Sequence, residues 1–413
     1  MKKLRIVFIS LFIVMFGGAS IWSFLNPARE FSGMENRSLQ QLPAIRAKNI
    51  LSGKFQKRYE KYLSDQIFMR DNWVDFYAGI RKVLGRKEIN GVYLGGNGYL
   101  IEKFTEGDFN EEILEKNTLI IADFLNICSD YFGAKNVSCL FVPSKIDVLA
   151  DKLPAFADVY SGSHVVGKVK KLVKNKKRVQ NLKDALLEHA DEYIYYRTDH
   201  HWTTLGAYYG YCEFQKLNGY DVPETSLYKQ ETVFNDFYGT SYNKAHIKTK
   251  PDEVCLFHTG NEYVTVNINN GEIISDSFYF KDKAESSFDK YSVFFSKNTK
   301  KIEINTKNNT QKTLLVVKDS FANCFVPFLA GSYDKIIMVD CRYNKGKIGT
   351  IFREYKDITD VLVLFNIEKF REDTHLSFLE LNSSSLEEEI SGKDEKNNAS
   401  PGDDILDGLI SLD

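Results

Sequence analysis

From residue 111 to residue 365 the chain alternates short apolar runs with longer segments of helical periodicity, and this alternation restricts the possible folds most. The periodicity predicts a helix over Glu111–Phe132, and an apolar run predicts a strand over Val137–Val142. Three more apolar runs follow, at Thr313–Val317, Lys335–Val339 and Asp360–Phe365. Strands that are apolar throughout are typical of buried parallel sheets, so we expect an α/β fold with a mainly parallel sheet and helices on both faces.

The middle of the chain continues this pattern and then interrupts it. Helices are predicted over Lys176–Ala190 and Thr203–Leu217, with a strand over Glu192–Tyr196 between them. Residues 240–312 instead carry the alternating patterns of half-exposed strands, at Glu262–Ile268 and Ser277–Phe280. We therefore predict a β-rich insertion at 240–312. It would divide the α/β domain into a first part, 91–239, and a second part, 313–382.

Three other segments have local signatures. Gly91–Ile101 predicts a β-hairpin because aliphatic and aromatic arms flank a Gly/Asn turn. Phe321–Leu329 is predicted to be a helix that Pro327 disturbs. The apolar spacing from Gly53 to Val83 predicts an amphipathic helix, so we interpret residues 27–90 as a helical stalk or N-terminal extension.

The first residues predict a location. Lys2, Lys3 and Arg5 precede an uncharged stretch, Ile6–Asn26, that has the length of a bilayer span of about 20 residues. The flanking positive charge favours a cytoplasmic N-terminus. We expect residues 1–26 to be an uncleaved membrane anchor with the main domain outside the cytoplasm. The alternative is a cleaved signal peptide and secretion, with Gly17–Ser20 as the nearest cleavage site.

The C-terminal residues differ in composition from the rest. Residues 383–413 are acidic and poor in aromatic side chains, which predicts a disordered tail. A short docking helix is an alternative for its apolar residues, which are Ile405, Leu406, Leu409 and Ile410.

Charge and cysteine usage exclude several classes of protein. The formal net charge is −2 and the basic residues are spread along the chain, so we expect no nucleic-acid partner. The six cysteines lack the paired spacing of metal sites. Most lie in apolar contexts, which is typical of small buried side chains. No cofactor-binding motif is present, and we expect no cofactor.

Three residues form a possible nucleophile, base and orienting carboxylate. Asp199 and His201 follow one predicted strand, and Ser320 follows another. The carboxyl ends of parallel strands meet at one edge of a sheet, where reactive groups gather. A serine hydroxyl becomes nucleophilic when a base takes its proton, and a carboxylate fixes the tautomer of that base. The sequence therefore predicts a catalytic triad of Ser320, His201 and Asp199.

Other interpretations of these residues stay open. Asp199, His200 and His201 could bind a metal, although no further ligand is clustered nearby in the sequence. Asp199 could instead cap the helix that follows it, and Ser320 could be a helix cap after Asp319.

Five residues are candidates for substrate binding, and Asn323, three positions after Ser320, is one of them. Trp202 could flank a sugar ring beside the catalytic histidine, or could simply belong to the core. Lys145 follows the strand at Val137–Val142, where it could contact substrate or be solvated. Arg342 and Tyr343 follow a later strand and offer a guanidinium and a phenol at the same edge of the sheet.

The run Asp199-His200-His201-Trp202 resembles the signature of the DHHW protein family. That family is similar to the SGNH-hydrolase-like proteins of bacterial alginate O-acetylation, which implies an SGNH-hydrolase-like fold here. The supporting stretches are Glu35–Arg37 with Pro43, Gly53–Arg70, Gly91–Ile101, Val142–Lys145, Asp319–Phe321 and Asp340–Tyr343.

The resemblance assigns roles residue by residue. It implies that Ser320 is the nucleophile, His201 the base and Asp199 its orienting carboxylate, while His200 receives no catalytic role. The glycine expected before the Asp-Ser pair is replaced by Lys318. For the oxyanion hole, the backbone N–H of Ser320 is the first candidate, and Asn323 is the second.

The resemblance also implies a function. We expect an anchored extracytoplasmic O-acyltransferase that moves an acyl group, most simply acetyl, onto a cell-surface or secreted polysaccharide through an acyl-serine. A multi-spanning membrane acyltransferase is the implied donor partner. The alternatives are a carbohydrate esterase with the same triad and a non-catalytic polysaccharide-binding or assembly protein.

Overall fold

The computed structural model describes residues 2–33, 37–260, 264–381 and 385–391. Its helices are α1 (Lys2–Leu25), α2 (Ala47–Leu51), α3 (Lys54–Gln66), α4 (Arg70–Val83), α5 (Glu111–Phe132), α6 (Lys145–Val148), α7 (Ser163–Leu172), α8 (Lys183–Leu187), α9 (Thr204–Asn218), α10 (Thr240–Ala245), α11 (Lys281–Glu285), α12 (Gly349–Glu354), α13 (Ile367–Glu372) and α14 (Leu386–Ser391). Its strands are β1 (Phe31–Ser32), β2 (Arg37–Ser38), β3 (Glu88–Ile89), β4 (Val92–Leu94), β5 (Leu100–Glu102), β6 (Val137–Val142), β7 (Val179–Asn181), β8 (Lys229–Phe237), β9 (Asp252–His258), β10 (Val264–Ile268), β11 (Ile273–Ser275), β12 (Lys301–Thr306), β13 (Thr313–Lys318), β14 (Lys335–Asp340) and β15 (Asp360–Asn366).

A mixed, mostly parallel sheet organises the molecule. Its eight strands lie in the order β11-β10-β12-β14-β13-β15-β6-β7. The five strands from β14 to β7 are parallel. The three strands at the other edge, β12, β10 and β11, are antiparallel. The predicted α/β class with a mainly parallel sheet is therefore confirmed.

Both faces of this sheet are buried. In β13, Leu314 and Val316 pack into one apolar cluster, whereas Leu315 and Val317 pack into a second cluster on the opposite face. Helix α9 contributes to the first cluster, and α5 and α7 contribute to the second. Alternate residues of one strand thus face two helical layers, which explains why the central strands are apolar without interruption.

Several predicted elements are confirmed. The helix over Glu111–Phe132 and the strand over Val137–Val142 have the predicted bounds. The predicted hairpin is the antiparallel pair β4 and β5. The helix predicted to follow Thr203 is α9, and the Thr203 hydroxyl caps it by accepting from the N–H of Gly206.

Two predictions in the middle of the chain are wrong. Lys176–Ala190 is not one helix, because it contains the short edge strand β7 and the five-residue helix α8. Glu192–Tyr196 is not a strand of the sheet. Its Tyr195 makes only an isolated bridge to Trp202, and its apolar side chains are buried as part of a loop.

Three further segments also differ from their predictions. Phe321–Leu329 forms two 3-10 turns, Ser320–Asn323 and Val326–Gly331, with Pro327 near the start of the second. Ser277–Phe280 is a loop in which Tyr279 makes an isolated bridge to Phe294. The amphipathic segment from Gly53 to Val83 is two helices, because Met69 between them has a left-handed backbone conformation.

The region predicted as a β-rich insertion does not stand apart from the sheet. Within residues 240–312, β10, β11 and β12 extend the parallel strands through the pairing of β12 with β14. Strand β9 pairs instead with β8 in a separate antiparallel ribbon. The beginning of the predicted strand Glu262–Ile268 lies outside the described residues.

The two ends of the chain are described in part. The first 24 described residues, Lys2–Leu25, form the single helix α1. A search of the described residues identified no helix with the combined length and hydropathy of a membrane span. The predicted C-terminal docking helix and most of the predicted tail lie outside the described residues, as do Glu35 and Asn36.

Candidate active site

The turn that carries Ser320 begins directly after the central strand β13. The carboxylate of Asp319 accepts from the backbone N–H of Phe321 at 2.9 Å and, through its other oxygen, from the N–H of Asn366 at 2.7 Å. Asn366 ends the neighbouring parallel strand β15. Asp319 therefore ties the serine turn to the carboxyl end of the adjacent strand and fixes the backbone on which Ser320 lies.

The Asp-His segment lies at the tip of a loop and not at the end of a sheet strand. The N–H of Tyr196 donates to the carbonyl of His201 at 3.2 Å, which closes the loop. The buried carboxylate of Asp252 accepts from the N–H groups of Arg197 at 2.6 Å and Thr198 at 2.7 Å. Backbone hydrogen bonds thus hold the tip that presents Asp199.

The structure brings the three predicted catalytic side chains together. The Nδ1 atom of His201 lies 2.5 Å from Oδ1 of Asp199, and its Nε2 atom lies 2.7 Å from Oγ of Ser320. All three residues are buried. With the Nδ1 proton donated to the carboxylate, Nε2 is free to accept the serine proton, which is the arrangement of a serine nucleophile with its general base.

The second oxygen of Asp199 is held by residue Thr240. It accepts from the Thr240 N–H at 2.9 Å and from the Thr240 hydroxyl at 3.0 Å. Burial opposes the ionisation of Asp199, but the rings of His201 and His200, the hydrogen bond to His201 and the backbone N–H of Thr240 hold its pKa well below the usual range. Asp199 is therefore a carboxylate at neutral pH, as an orienting group must be.

A glycine makes this approach of two loops possible. A Cβ atom built on Gly239 would lie 2.2 Å from Cβ of Asp199 and 2.4 Å from its Oδ2. No real Cβ contact is that short, so any side chain at this position would displace the carboxylate.

His200 joins the same network from the other side. Its Nδ1 atom lies 2.5 Å from the Thr240 hydroxyl. Because that hydroxyl donates its only proton to Asp199, it must accept from His200 Nδ1–H. Burial and the neighbouring His201 ring lower the pKa of His200 well below its usual value, so the ring is neutral at neutral pH.

Asp199, His200 and His201 also form a cluster of potential metal ligands, with one ligand atom of each lying within 4.8 Å of the others. Both ring nitrogens of His201, however, are already hydrogen bonded to Asp199 and Ser320. A metal bound by His201 would have to break one of these bonds. The donor set therefore fits a proton-transfer triad better than a metal centre.

Tyr291 completes the surroundings of the base. Its ring stacks on the imidazole of His201, with centroids 3.9 Å apart and planes 10° apart. Its hydroxyl donates to the backbone carbonyl of Ser320 at 2.9 Å. One side chain therefore contacts both the base and the backbone of the nucleophile.

A cleft of about 700 Å³ lies close to the triad, because Tyr291, which stacks on His201, and Asn323 line it, although Ser320, His201 and Asp199 do not. Asn323 belongs to the turn that begins with Ser320. The rest of the lining is mostly hydroxyl, amide and ammonium groups, and includes Ser292, Ser296, Asn298, Thr299, Lys297, Lys300 and Tyr343. The cleft offers hydrogen-bond partners for a hydroxylated ligand near the turn that carries Ser320.

Two of the predicted substrate-binding residues are instead part of the interior. Trp202 is 0% exposed, and its indole N–H donates to the carbonyl of Phe321 at 2.9 Å. It cannot flank a sugar ring, so this prediction is wrong. Lys145 is also buried, and its ammonium group donates to the carbonyls of Leu100 at 2.8 Å and Arg197 at 3.4 Å. Burial lowers its pKa to about 8.

The other three predicted residues lie nearer the cleft. Tyr343 lines it, and so does Asn323, whose carboxamide is held by Lys318 at 2.8 Å and by Asn298 at 3.2 Å. Arg342 is bound to Asp340 through two hydrogen bonds of 2.9 and 2.7 Å. Its guanidinium is thus neutralised by a neighbour within its own turn.

A second Asp-x-His sequence shows what distinguishes the site. In Asp373-Thr374-His375, Nδ1 of the histidine lies 3.1 Å from Oδ1 of the aspartate. The backbone N–H of His375 also donates to that oxygen, as the N–H of His201 does to Asp199. The side chain of His375 is 55% exposed, however, and no serine is bonded to it among the described residues. The local motif alone therefore does not produce a triad.

The sequence analysis missed Thr240, Gly239 and Tyr291. Thr240 contacts Asp199 from 41 positions away, and Tyr291 contacts Ser320 from 29 positions away. No pattern of spacing points to them, because their role arises only from the packing of distant loops.

Comparison with known proteins identifies the family of the chain and similar folds. A family model described as DHHW protein matches residues 87–339. The crystal structure of a DHHW family protein from Eubacterium siraeum is similar, with 25% identity and a TM-score of 0.57 over 74% of this chain and 96% of that one. A search of curated proteins found no significant match.

Two other solved structures are similar at lower identity. Bacillus cereus PatB1, determined with a sulfonyl adduct, is 20% identical with a TM-score of 0.54 over 70% of this chain and 97% of that one. The O-acetyltransferase domain of Pseudomonas putida AlgJ is 14% identical with a TM-score of 0.43 over 73% of this chain and 99% of that one.

Proposed function

The chain belongs to the DHHW protein family, and we propose that it transfers an acyl group, most simply acetyl, to a hydroxyl group of a polysaccharide. Two hydrogen bonds of His201 carry this proposal. Its Nε2 atom lies 2.7 Å from Oγ of Ser320, and its Nδ1 atom lies 2.5 Å from Oδ1 of Asp199. A buried serine that donates to an oriented imidazole is prepared for acyl transfer.

In the first half of the reaction, Oγ of Ser320 attacks the carbonyl carbon of the acyl donor while Nε2 of His201 takes the hydroxyl proton. The tetrahedral intermediate collapses, the bond to the leaving group breaks, and His201 returns the proton to that group. The acyl group is then an ester of Ser320. Ser320 opens its turn, and the first N–H groups of a helical turn lack intrahelical acceptors, so its amide is our candidate for stabilising the oxyanion.

In the second half, a sugar hydroxyl takes the place of the leaving group. His201 removes its proton, the new alkoxide attacks the acyl-serine, and collapse of the second intermediate releases the esterified sugar and restores the Ser320 hydroxyl. The cleft that Tyr291 and Asn323 line supports this step, because it provides room and hydrogen-bond partners for a carbohydrate chain beside two residues that contact the triad or share the turn of Ser320.

We also propose the cellular setting. The main domain would act outside the cytoplasm, attached through residues 1–26, and a multi-spanning membrane acyltransferase would supply the acyl group. The basic residues in the first turn of α1 and the exposure of its described apolar side chains support this attachment. Fractionation of cells that express the chain with and without residues 1–26 tests it, since both forms would partition alike if the segment does not attach the protein.

The proposed chemistry is tested with nitrophenyl acetate. We expect the purified chain to release nitrophenol, and Ser320→Ala to reduce the rate by about a thousandfold or more. Incubation with a chelator should leave the rate unchanged. Unchanged turnover in Ser320→Ala would remove the serine from the mechanism.

The acceptor decides between transfer and hydrolysis. With an oligosaccharide present, a transferase should form acetylated sugar, detected by mass spectrometry, at the expense of free acetate. An esterase with the same triad would release acetate alone, and would remove acetyl groups from an acetylated oligosaccharide.

A further inference from the structure

Helix α4, Arg70–Val83, directs its apolar side chains away from the protein. Trp73 is 50% exposed, Phe76 is 62% exposed and Val83 is 87% exposed. Tyr77 and Ile80 are exposed as well. These residues recur at intervals of three and four, so they form one continuous stripe along the helix.

The opposite side of α4 faces the protein and is the more polar one. Ala78 is the buried residue of the helix. Asp71 on this side accepts from Arg29 at 2.8 Å, and Asp75 lies 3.4 Å from the ring of His246. A surface helix ordinarily buries its apolar stripe and exposes its polar side. In α4 this order is reversed, so the stripe needs an apolar environment outside the chain.

The stripe continues into its neighbours and forms a patch. Leu84 extends it at the end of α4. Leu63 in the preceding helix α3, and Ile67 directly after that helix, are exposed as well. Exposed apolar side chains of this size are scattered singly over the α/β part of the molecule, among them Leu119, Phe156 and Leu227. A contiguous patch with a polar rim marks a contact with a partner or a membrane.

The charge of the rim decides which of these fits. Four basic residues lie in two pairs at the end of α4 and just beyond it: Arg81 with Lys82, and Arg86 with Lys87. Lys82, Arg86 and Lys87 are exposed. An aromatic and aliphatic stripe with lysine and arginine at its edge is typical of helices that lie in the interface of a bilayer with anionic lipids.

The location of α4 agrees with such a contact. Its N-terminal end lies beside the point at which the chain leaves α1, because the ring of Trp22 is 5.4 Å from that of Phe68 and Arg29 pairs with Asp71. The patch is therefore adjacent to the segment through which we propose that the protein is attached.

We infer that α4 lies along the surface of a lipid bilayer, with its stripe from Trp73 to Val83 among the headgroups and its basic residues on anionic lipid. The inference uses the membrane location proposed above and is independent of the acyl-transfer chemistry. It gives the catalytic domain a second membrane contact, which would fix the orientation of the triad relative to the bilayer and to a donor within it.

Depth-dependent fluorescence quenching tests this inference on the full chain. The protein has three tryptophans, Trp22 in α1, Trp73 in α4 and the buried Trp202. In Trp22→Phe, Trp73 is the one exposed reporter. Vesicles of phosphatidylcholine and phosphatidylglycerol carry bromine either near the headgroup end or near the centre of the acyl chains. In Trp22→Phe we expect strong quenching by the shallow bromines and weaker quenching by the deep ones. In the double variant Trp22→Phe/Trp73→Phe we expect no quenching by either.

Two further measurements keep the result unambiguous. In the Trp22→Phe background, Ile80→Glu with Val83→Glu introduces charge at exposed positions and should abolish the quenching of Trp73 while leaving the melting temperature unchanged. Emission from Trp73 that stays open to aqueous iodide and insensitive to bromolipid would overturn the inference. So would protection of Trp73 from iodide without vesicles together with a doubled mass in light scattering, since a second copy would then cover the patch.

Discussion

The ring of Tyr291 stacks on the imidazole of His201 with centroids 3.9 Å apart, and its hydroxyl donates to the backbone carbonyl of Ser320. The base and the nucleophile therefore share one support. Loss of the ring should let the imidazole rotate, and a displacement of about 1 Å at a reacting group can reduce the rate about 100-fold.

We predict that Tyr291→Leu lowers kcat for nitrophenyl acetate by roughly 10–100-fold. Tyr291→Phe keeps the stacking and loses only the hydrogen bond to Ser320, so its kcat should fall much less, while an unsatisfied carbonyl costs about 1–3 kcal/mol of unfolding free energy. Equal rates for both variants would show that the stacking does not position the base.

Thr240 should set the acid limit of activity. Its hydroxyl donates to Oδ2 of Asp199 and so favours the ionised carboxyl. Thr240→Val removes this bond and should raise the pKa of Asp199, so that activity is lost at a higher pH on the acid side. Thr240→Ser is the matched control and should retain the wild-type profile of kcat/KM against pH. Superimposable profiles for all three proteins would contradict this role.

Gly239 should tolerate no side chain. Because a Cβ atom there would lie 2.2 Å from Cβ of Asp199, Gly239→Ala should displace the carboxylate and reduce kcat/KM by at least about 10-fold. Gly167 in helix α7 is the control, since no atom lies within 4 Å of a Cβ built on it. Gly167→Ala should stabilise the fold by about 0.5–1 kcal/mol and leave the kinetics unchanged. Full activity of Gly239→Ala would show that the loops can move apart without cost.

Much of this architecture could be predicted from local patterns. The six residues of β13 are all buried, so an apolar run was sufficient to identify it. The three-residue strand β7 lies at the sheet edge and is too short for its period to show, so it was merged into a predicted helix. In Glu192–Tyr196 the apolar side chains are buried although the segment is a loop. The sequence pattern of such a loop is the same as that of a buried strand, so the two could not be distinguished.

The residues of the site also fall into those that a local sequence pattern predicts and those that only tertiary packing brings together. Ser320 could be placed because it follows a strand that the sequence predicts, and His201 because it lies in a local motif with Asp199. Thr240 and Tyr291 could not be found, since they reach the triad only through tertiary packing. The position of Trp202 beside His201 fits either a sugar contact or the core, and the structure selects the core, where its ring packs parallel to that of Phe325.

Asp289 should make the stability of the fold depend on pH. Burial and the nearby Asp199 raise its pKa from 3.8 to about 6. A carboxyl with a raised folded-state pKa stabilises the fold while it is protonated. This contribution is complete below about pH 4 and is lost as the pH rises through about 6.

Asp289→Asn removes this loss of stability at higher pH, because the amide does not ionise. It keeps a side-chain oxygen that can accept from the N–H of Tyr291. The unfolding free energy of the variant minus that of wild type should therefore be larger at pH 7.5 than at pH 4. Urea unfolding at both pH values measures it. The exposed Asp276 provides the control, for which the difference between Asp276→Asn and wild type should change less between the two pH values. A constant difference for Asp289→Asn would contradict the prediction.

The central claim is that His201 activates Ser320, and covalent labelling followed by peptide mass spectrometry tests it most directly. Phenylmethylsulfonyl fluoride should modify the peptide that contains Ser320, and the labelling rate should fall by about 100-fold or more in His201→Ala. His375→Ala removes the histidine of the second Asp-x-His sequence and should label at the wild-type rate. Labelling of Ser320 that is as fast without His201 as with it, or labelling of a different serine, would contradict the account.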